Sequence, residues 1–186
     1  MRIVKRLVVV ALVAVSGLTV AATPAHAFSG WGFTLESRWY VSNPGACIDK
    51  DLWGPLDGSK VQLWDCNDSK QQGWYLGADF GGGWREVKNA QSDSCLDVDI
   101  ARWNWNGNGN GTPVQTFRCL GPNQINQHWR LDWTSSDSVK LISRQGDKCL
   151  DIDWNGRWFN GKPLQVWDCH PAPNDNQIWK HTVHAY

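Results

Sequence analysis

The chain has 186 residues, and 18 Lys and Arg balance 18 Asp and Glu. That balance leaves no basic excess for nucleic acid or an anionic membrane. Six cysteines occur without a Cys-x-x-Cys pair, so a zinc or redox motif has no support; 14 tryptophans and 18 glycines are the compositional outliers.

Residues 1–27 read as a secretory signal peptide. Arg2, Lys5 and Arg6 make a basic start, Leu7 to Val15 is an unbroken apolar run, and Ala25-His26-Ala27 is a small-x-small cleavage signal. The apolar run is too short to span a bilayer comfortably, which argues against an uncleaved anchor. Without the leader, 15 Lys and Arg face 18 Asp and Glu, a formal charge of −3. All six cysteines lie in the mature part, and an even count in an exported chain implies disulfides. The mature part is long enough for one domain with its own core.

Residues 28–37 form a short N-terminal segment. From residue 38 the sequence repeats, with units at roughly 38–83, 84–136 and 137–184. Cys47, Cys95 and Cys149 open the phrases "CIDKD", "CLDVD" and "CLDID". Cys66, Cys119 and Cys169 close "VQLWDC", "VQTFRC" and "LQVWDC", the middle copy being the most altered. Gln-x-Trp follows each time, at Gln72 to Trp74, Gln127 to Trp129 and Gln177 to Trp179. Segments such as "KVQLWDC", "SCLDVDI" and "SVKLIS" alternate with period two and favour strands. No stretch of the mature chain has a helical period. The spacing predicts an all-β domain of about four strands per repeat. The Gly- and Asn-rich stretch 102–113 reads as a surface insertion that shields or extends the second repeat's site.

Alternation also sorts the faces. Val61 and Leu63, Val114 and Thr116, and Leu164 and Val166 point to the core, with Ile48, Leu96, Val98, Leu150 and Ile152. The opposite, wetter face carries Gln62 and Trp64, Gln115 and Phe117, and Gln165 and Trp167, together with Asp49, Asp97 and Asp151. If the cysteines of one repeat bond, the aspartate two residues from one comes close to the aromatic two residues from the other. Pairing within units and cyclic pairing between units both respect the repeat.

Cys-Leu-Asp-Val, Val-Gln-Leu-Trp-Asp-Cys and Asn-Gln-x-Trp in triplicate resemble the ricin B-chain-type lectins and the related xylan-binding modules of carbohydrate-binding family 13. The resemblance covers nearly all of 38–184. It implies a β-trefoil and disulfides Cys47–Cys66, Cys95–Cys119 and Cys149–Cys169. It also implies that the aspartate and an asparagine grip sugar hydroxyls while the aromatic stacks on the sugar's C–H face. The sugar-binding set is then Asp151, Gln165, Trp167, Asn176 and Gln177 in the third repeat. In the second it is Asp97, Gln115, Phe117, Asn126 and Gln127. In the first it is Asp49, Gln62, Trp64 and Gln72, with Gln71 standing where the family has asparagine. Trp74, Trp129 and Trp179 are expected to be core scaffold.

The expected function is non-catalytic binding of glycans or polysaccharide by an extracellular protein. The pattern fits galactose-type ends and xylan chains alike. A glycosidase needs two placed carboxylates, yet Glu36 and Glu86 are the only glutamates and the aspartates belong to a triplicated pattern. No cofactor or metal motif is present: "DIDWNG" (151–156) has Lys162 at the twelfth position where a calcium loop needs glutamate, and His181 and His184 read as a solvated tail. The alternative is an exported trefoil that binds a protein partner, as a protease inhibitor or toxin-associated subunit does.

Overall fold

The computed structural model describes residues 31–40, 45–155, 157–171 and 175–185. The predicted leader, 1–27, and residues 28–30 lie outside them. Twelve strands occur among the described residues, all paired antiparallel. In order they are β1 (Trp31–Ser37), β2 (Ala46–Lys50), β3 (Ser59–Asp65), β4 (Trp74–Asp79), β5 (Arg85–Asn89) and β6 (Cys95–Val98). There follow β7 (Thr112–Phe117), β8 (Trp129–Trp133), β9 (Ser138–Ser143), β10 (Lys148–Ile152), β11 (Lys162–Asp168) and β12 (Trp179–Ala185).

Six strands close a ring. β1 pairs with β12, β12 with β9, β9 with β8, β8 with β5, β5 with β4, and β4 with β1. Closure removes the exposed edges that an open sheet would present. The other six form the hairpins β2–β3, β6–β7 and β10–β11. Their second strands pair with one another as a triangle, β3 with β7, β7 with β11 and β11 with β3. Each repeat supplies two staves and one hairpin, which is a β-trefoil.

The segment 28–37 that the sequence set apart contains β1, a full stave of the ring. Its Phe33 and Leu35 are buried, but it contains none of the repeated phrases. β12 likewise runs through the predicted tail. His181 packs against Phe33 with ring centroids 4.6 Å apart and meets Trp133 edge-on at 5.1 Å, so it is no solvated tail residue.

The core is built by the alternation. β7 is buried at Thr112, Val114 and Thr116 and half-buried at the residues between. Trp74, Trp129 and Trp179 are fully buried at the first positions of β4, β8 and β12. Trp74 Nε1 donates to the Ile48 carbonyl at 3.1 Å and Trp129 Nε1 to the Leu96 carbonyl at 2.8 Å, so each locks its own repeat's hairpin. Trp179 Nε1 has no acceptor among the described residues. Truncating such a tryptophan costs about 3–5 kcal/mol.

A second device joins neighbouring repeats. Gly58, Gly111 and Gly161 precede the central strands with φ of 85°, 82° and 94°, a region that only glycine enters without strain. Their amides donate to the carbonyls of Thr116, Val166 and Leu63, each in the next hairpin around the triangle. The residue before each glycine completes the joint. Asn110 accepts from the Asp168 amide and donates to the Asp168 carboxylate, both at 2.8 Å. Asn160 does the same to Asp65 at 2.8 and 2.9 Å. At the third joint Asp57 accepts from the Arg118 amide at 2.8 Å and from its guanidinium Nε at 2.7 Å. The altered hexapeptide is therefore compensated: arginine replaces aspartate where aspartate replaces asparagine.

Candidate functional site

Each hairpin places its candidate residues by register. Cys149 lies opposite Trp167 and Asp151 opposite Gln165; Cys95 faces Phe117 and Asp97 faces Gln115; Cys47 faces Trp64 and Asp49 faces Gln62. The disulfides are Cys47–Cys66, Cys95–Cys119 and Cys149–Cys169, with Cα separations of 5.1, 5.1 and 5.0 Å. They tie the end of each hairpin's second strand to the start of its first. Glu86 converges on Cys95 and Cys119, but those sulfurs are bonded to each other and offer no thiolate to a metal.

The aspartates are almost wholly buried, yet each lines a cavity. Asp151 Oδ1 accepts from Gln165 Nε2 at 2.8 Å, and its Oδ2 accepts from Asn176 Nδ2 at 2.8 Å and Gln177 Nε2 at 2.9 Å. Asp97 repeats the pattern with Gln115 at 2.9 Å, Asn126 at 2.8 Å and Gln127 at 2.9 Å. A carboxylate has about four lone-pair sites, so three amide donors leave one for a ligand hydroxyl. Among the described residues Asp49 accepts from the side chains of Gln62 at 3.1 Å and Gln72 at 3.2 Å alone. Gln71 lines that cavity but makes no bond to Asp49 among the described residues. Burial pushes the carboxyls of Asp97 and Asp151 up to about 6, against the downward pull of the amide donors. Burial likewise raises Asp49.

Gln72, Gln127 and Gln177 require a correction. They have no exposed surface to offer a sugar. Their amide nitrogens bond the aspartate and the carbonyls of Asp65, Arg118 and Asp168. Their oxygens accept from the amides of Asn67, Leu120 and His170, at 2.9 Å each. They position the aspartate and clamp the chain beyond the disulfide. Gln62 is also buried, whereas Gln115 and Gln165 are half-buried beside their rings. Asn126 and Asn176 give both their amide hydrogens to the aspartate and to the carbonyls of Val98 and Ile152.

The rings frame the open side. Trp64 is 38% exposed, Trp167 37% exposed and Phe117 half-buried. The glycine joint supports them from behind: a Cβ on Gly111 would lie 3.7 Å from the Trp167 ring, and one on Gly161 3.8 Å from the Trp64 ring. The cavities measure about 220 Å³ in the first repeat, 210 Å³ in the second and 160 Å³ in the third. Each has a further stretch of lining that the sequence reading missed. It is Asp51 and Trp53 in the first, Asp99 and Ile100 in the second, and Asp153 and Trp154 in the third. The last aspartate of "CIDKD", "CLDVD" and "CLDID" was the available signal. The insertion 102–113 does not cover the second cavity; Asn110 and Gly111 join it to the third repeat. A wider cavity of about 510 Å³ opens at the mouth of the ring, between Trp31, Phe33, Trp133 and His181.

A triplicated carboxylate, held by amides in a cavity that a partly exposed ring also lines, on a β-trefoil, is the arrangement of a carbohydrate-binding lectin domain. The chain belongs to the ricin-type β-trefoil lectin domain family, whose model matches residues 33–138 and 83–186. Comparison with curated sequences found no match. Among solved structures, the designed threefold-symmetric protein ThreeFoil superposes with a TM-score of 0.66 at 25% identity, covering 81% of this chain and 97% of its own. An exo-β-1,3-galactanase from Clostridium thermocellum superposes with a TM-score of 0.65 at 27% identity over 82% of this chain, which spans 30% of the galactanase. The ricin B-like lectin of Macrolepiota procera, solved with lactose, has a TM-score of 0.59 at 17% identity, covering 83% of this chain and 96% of its own.

Proposed function

We propose that the chain is an exported, non-catalytic lectin module that binds neutral sugars, as galactose-type ends or xylan-like chains, through up to three shallow sites. The observation that carries this reading is that Asp151 and the partly exposed Trp167 line one cavity. One carboxylate lone pair is left for a hydroxyl, beside an indole sized for the C–H face of a pyranose. A polar site of this kind discriminates because the wrong epimer leaves a buried group unpaired.

Each cavity also holds a second aspartate, which invites a glycosidase reading. The first aspartate's oxygens are occupied by side-chain amides, which favours a fixed acceptor over a nucleophile or acid. Asp99 is committed to the Arg102 guanidinium at 2.5 Å, and Asp51 and Asp153 cap their own turns at 3.1 and 2.9 Å. Export rests on the leader pattern; secreted material with the mass of residues 28–186 is the expected product. The likeness to a segment of the galactanase supports galactose-type ligands as first probes.

Single sites of this depth bind at about 10⁻⁴ to 10⁻³ M, equivalent to about 4–5.5 kcal/mol. Several sites on one polymer raise the apparent affinity without new contacts. The test is a glycan array with retention on galactose resin and insoluble xylan. Trp167→Ala is expected to remove most third-site binding while the fold persists. If array and resins capture nothing from folded protein, and a protein ligand is captured instead, this reading is wrong.

A further inference from the structure

We infer that the third site is built to hold a run of a linear neutral polysaccharide, with Trp154, Trp39 and Tyr40 continuing the aromatic surface that Trp167 begins. The inference rests on the sugar-binding reading above and specifies its ligand.

The observation is a chain of rings leading out of one cavity. Trp154 lines the third cavity together with Trp167 and is 64% exposed. Its ring meets Trp39 edge-on, centroids 6.3 Å apart. Trp39 meets Tyr40 at 4.7 Å, and Tyr40 meets Trp158 at 6.1 Å. The side chain of Ser37 fixes the two middle rings, accepting from the amides of Trp39 at 3.1 Å and Tyr40 at 3.2 Å. That turn sets two consecutive aromatic side chains beside each other instead of on opposite faces of a strand.

Polar groups accompany the rings. Asp153 and Asn155 line the cavity beside Trp154. The Asp153 charge, after burial, helps to raise the Tyr40 hydroxyl above its ordinary value, so this phenol lies within the field of a cavity carboxylate. Rings with interspersed donors and acceptors suit successive sugars, each offering a C–H face and a rim of hydroxyls.

The extension breaks the threefold symmetry. Trp39 and Tyr40 follow β1; the corresponding positions after β5 and β9 hold Gln91 and Ser92, and Gln145 and Gly146. Trp53 of the first site is 91% exposed and Ile100 of the second is not aromatic. Trp39, Tyr40 and Trp158 also pack against the core, as Trp103 does, and Trp103 lies against Gly146 at the corner after β9; the asymmetry is the unbroken run of rings that begins at the Trp154 cavity wall.

The experiment isolates the third site with Trp64→Ala and Phe117→Ala, then titrates xylose against xylohexaose, and galactose against a galactan fragment of equal length, by calorimetry. One linear oligosaccharide is expected to bind about thirtyfold more tightly than its monosaccharide. That exceeds the statistical gain from repeating units, which is at most about sixfold for six of them. Trp39→Ala and, separately, Trp154→Ala should return the ratio to the statistical value, and Trp39→Phe should restore most of it. Trp154 is mostly exposed, so its variant tests the idea even if Trp39→Ala fails to fold. Monosaccharide and oligomer binding alike within the statistical factor would overturn the extension and leave the single-sugar reading intact. A ratio unchanged by both variants would place the chain elsewhere and also overturn it. Absence of binding by any probe would overturn the sugar-binding reading itself.

Discussion

Acidification from pH 7 to pH 5 is expected to weaken sugar binding about tenfold without unfolding the protein. The ligand's hydroxyl donates to an ionised carboxylate, the stronger acceptor, and Asp97 and Asp151 are pushed by burial up to about 6. A group titrating there is about nine-tenths ionised at pH 7 and about one-tenth at pH 5, a loss of about 1.4 kcal/mol in binding. Stability follows a different course. The raised aspartates contribute up to about 3 kcal/mol each to the fold below about pH 4, and this contribution is lost as pH rises through 6. His128 and His181, held below their ordinary values by burial, contribute stability present above about pH 6.5 and lost as pH falls through their lowered values. Over pH 5–7 the two sets oppose each other, and the raised aspartates favour the acid side, so the fold is expected to persist at pH 5 while affinity falls. Calorimetric titration with lactose, paired with thermal melts across that range, separates the two effects. Affinity that is flat between pH 5 and 7, or that falls only where near-UV circular dichroism is lost, would refute the claim that these carboxylates receive the ligand.

The joints between repeats give the remaining predictions. Arg118→Asp sets two carboxylates against each other where Asp57 now holds a guanidinium, and should lower stability, the more so at low salt. Adding Asp57→Asn recreates the asparagine–aspartate joint of the other two corners and should recover most of the loss; urea denaturation of the single and double variants measures both. Gly111→Ala forces a side chain into a left-handed position behind Trp167 and should cost about 1 kcal/mol. It should also weaken third-site binding more than binding at the first site, read by titration in variants that retain one site each.

The parts that could be read from the sequence are those where one rule fixes both partners. Period-two alternation placed Val61, Val114 and Leu164 inward, and the same rule put Trp64, Phe117 and Trp167 on the other face. The within-unit disulfides that the resemblance implied then gave the register that brings Asp151 and Trp167 to one cavity. Where placement depends on turns, alternation is silent, so the lining at Trp53, Ile100 and Trp154 was missed. Where a polar side chain is consumed by the backbone, residue type misleads: Gln72, Gln127 and Gln177 have a sugar ligand's chemistry but no free amide atom. β1 was set apart because a barrel stave needs only inward apolar residues such as Phe33 and Leu35, which no repeated motif advertises.

The three corners separate scaffold from recognition. The second site has the full set of amides around Asp97, yet both its walls are reduced, to Phe117 and Ile100. The first site has two tryptophans, Trp64 and Trp53, but its aspartate has lost the asparagine donor because Gln71 does not reach it. Only the third combines three donors on the carboxylate with two indole walls. The joint at Asp57 and Arg118 keeps the second corner in place regardless, so the strand that carries Phe117 is held by a contact independent of its cavity. Recognition at each corner therefore depends on wall and donor residues that can vary while the glycine joints, disulfides and buried tryptophans hold the triangle fixed.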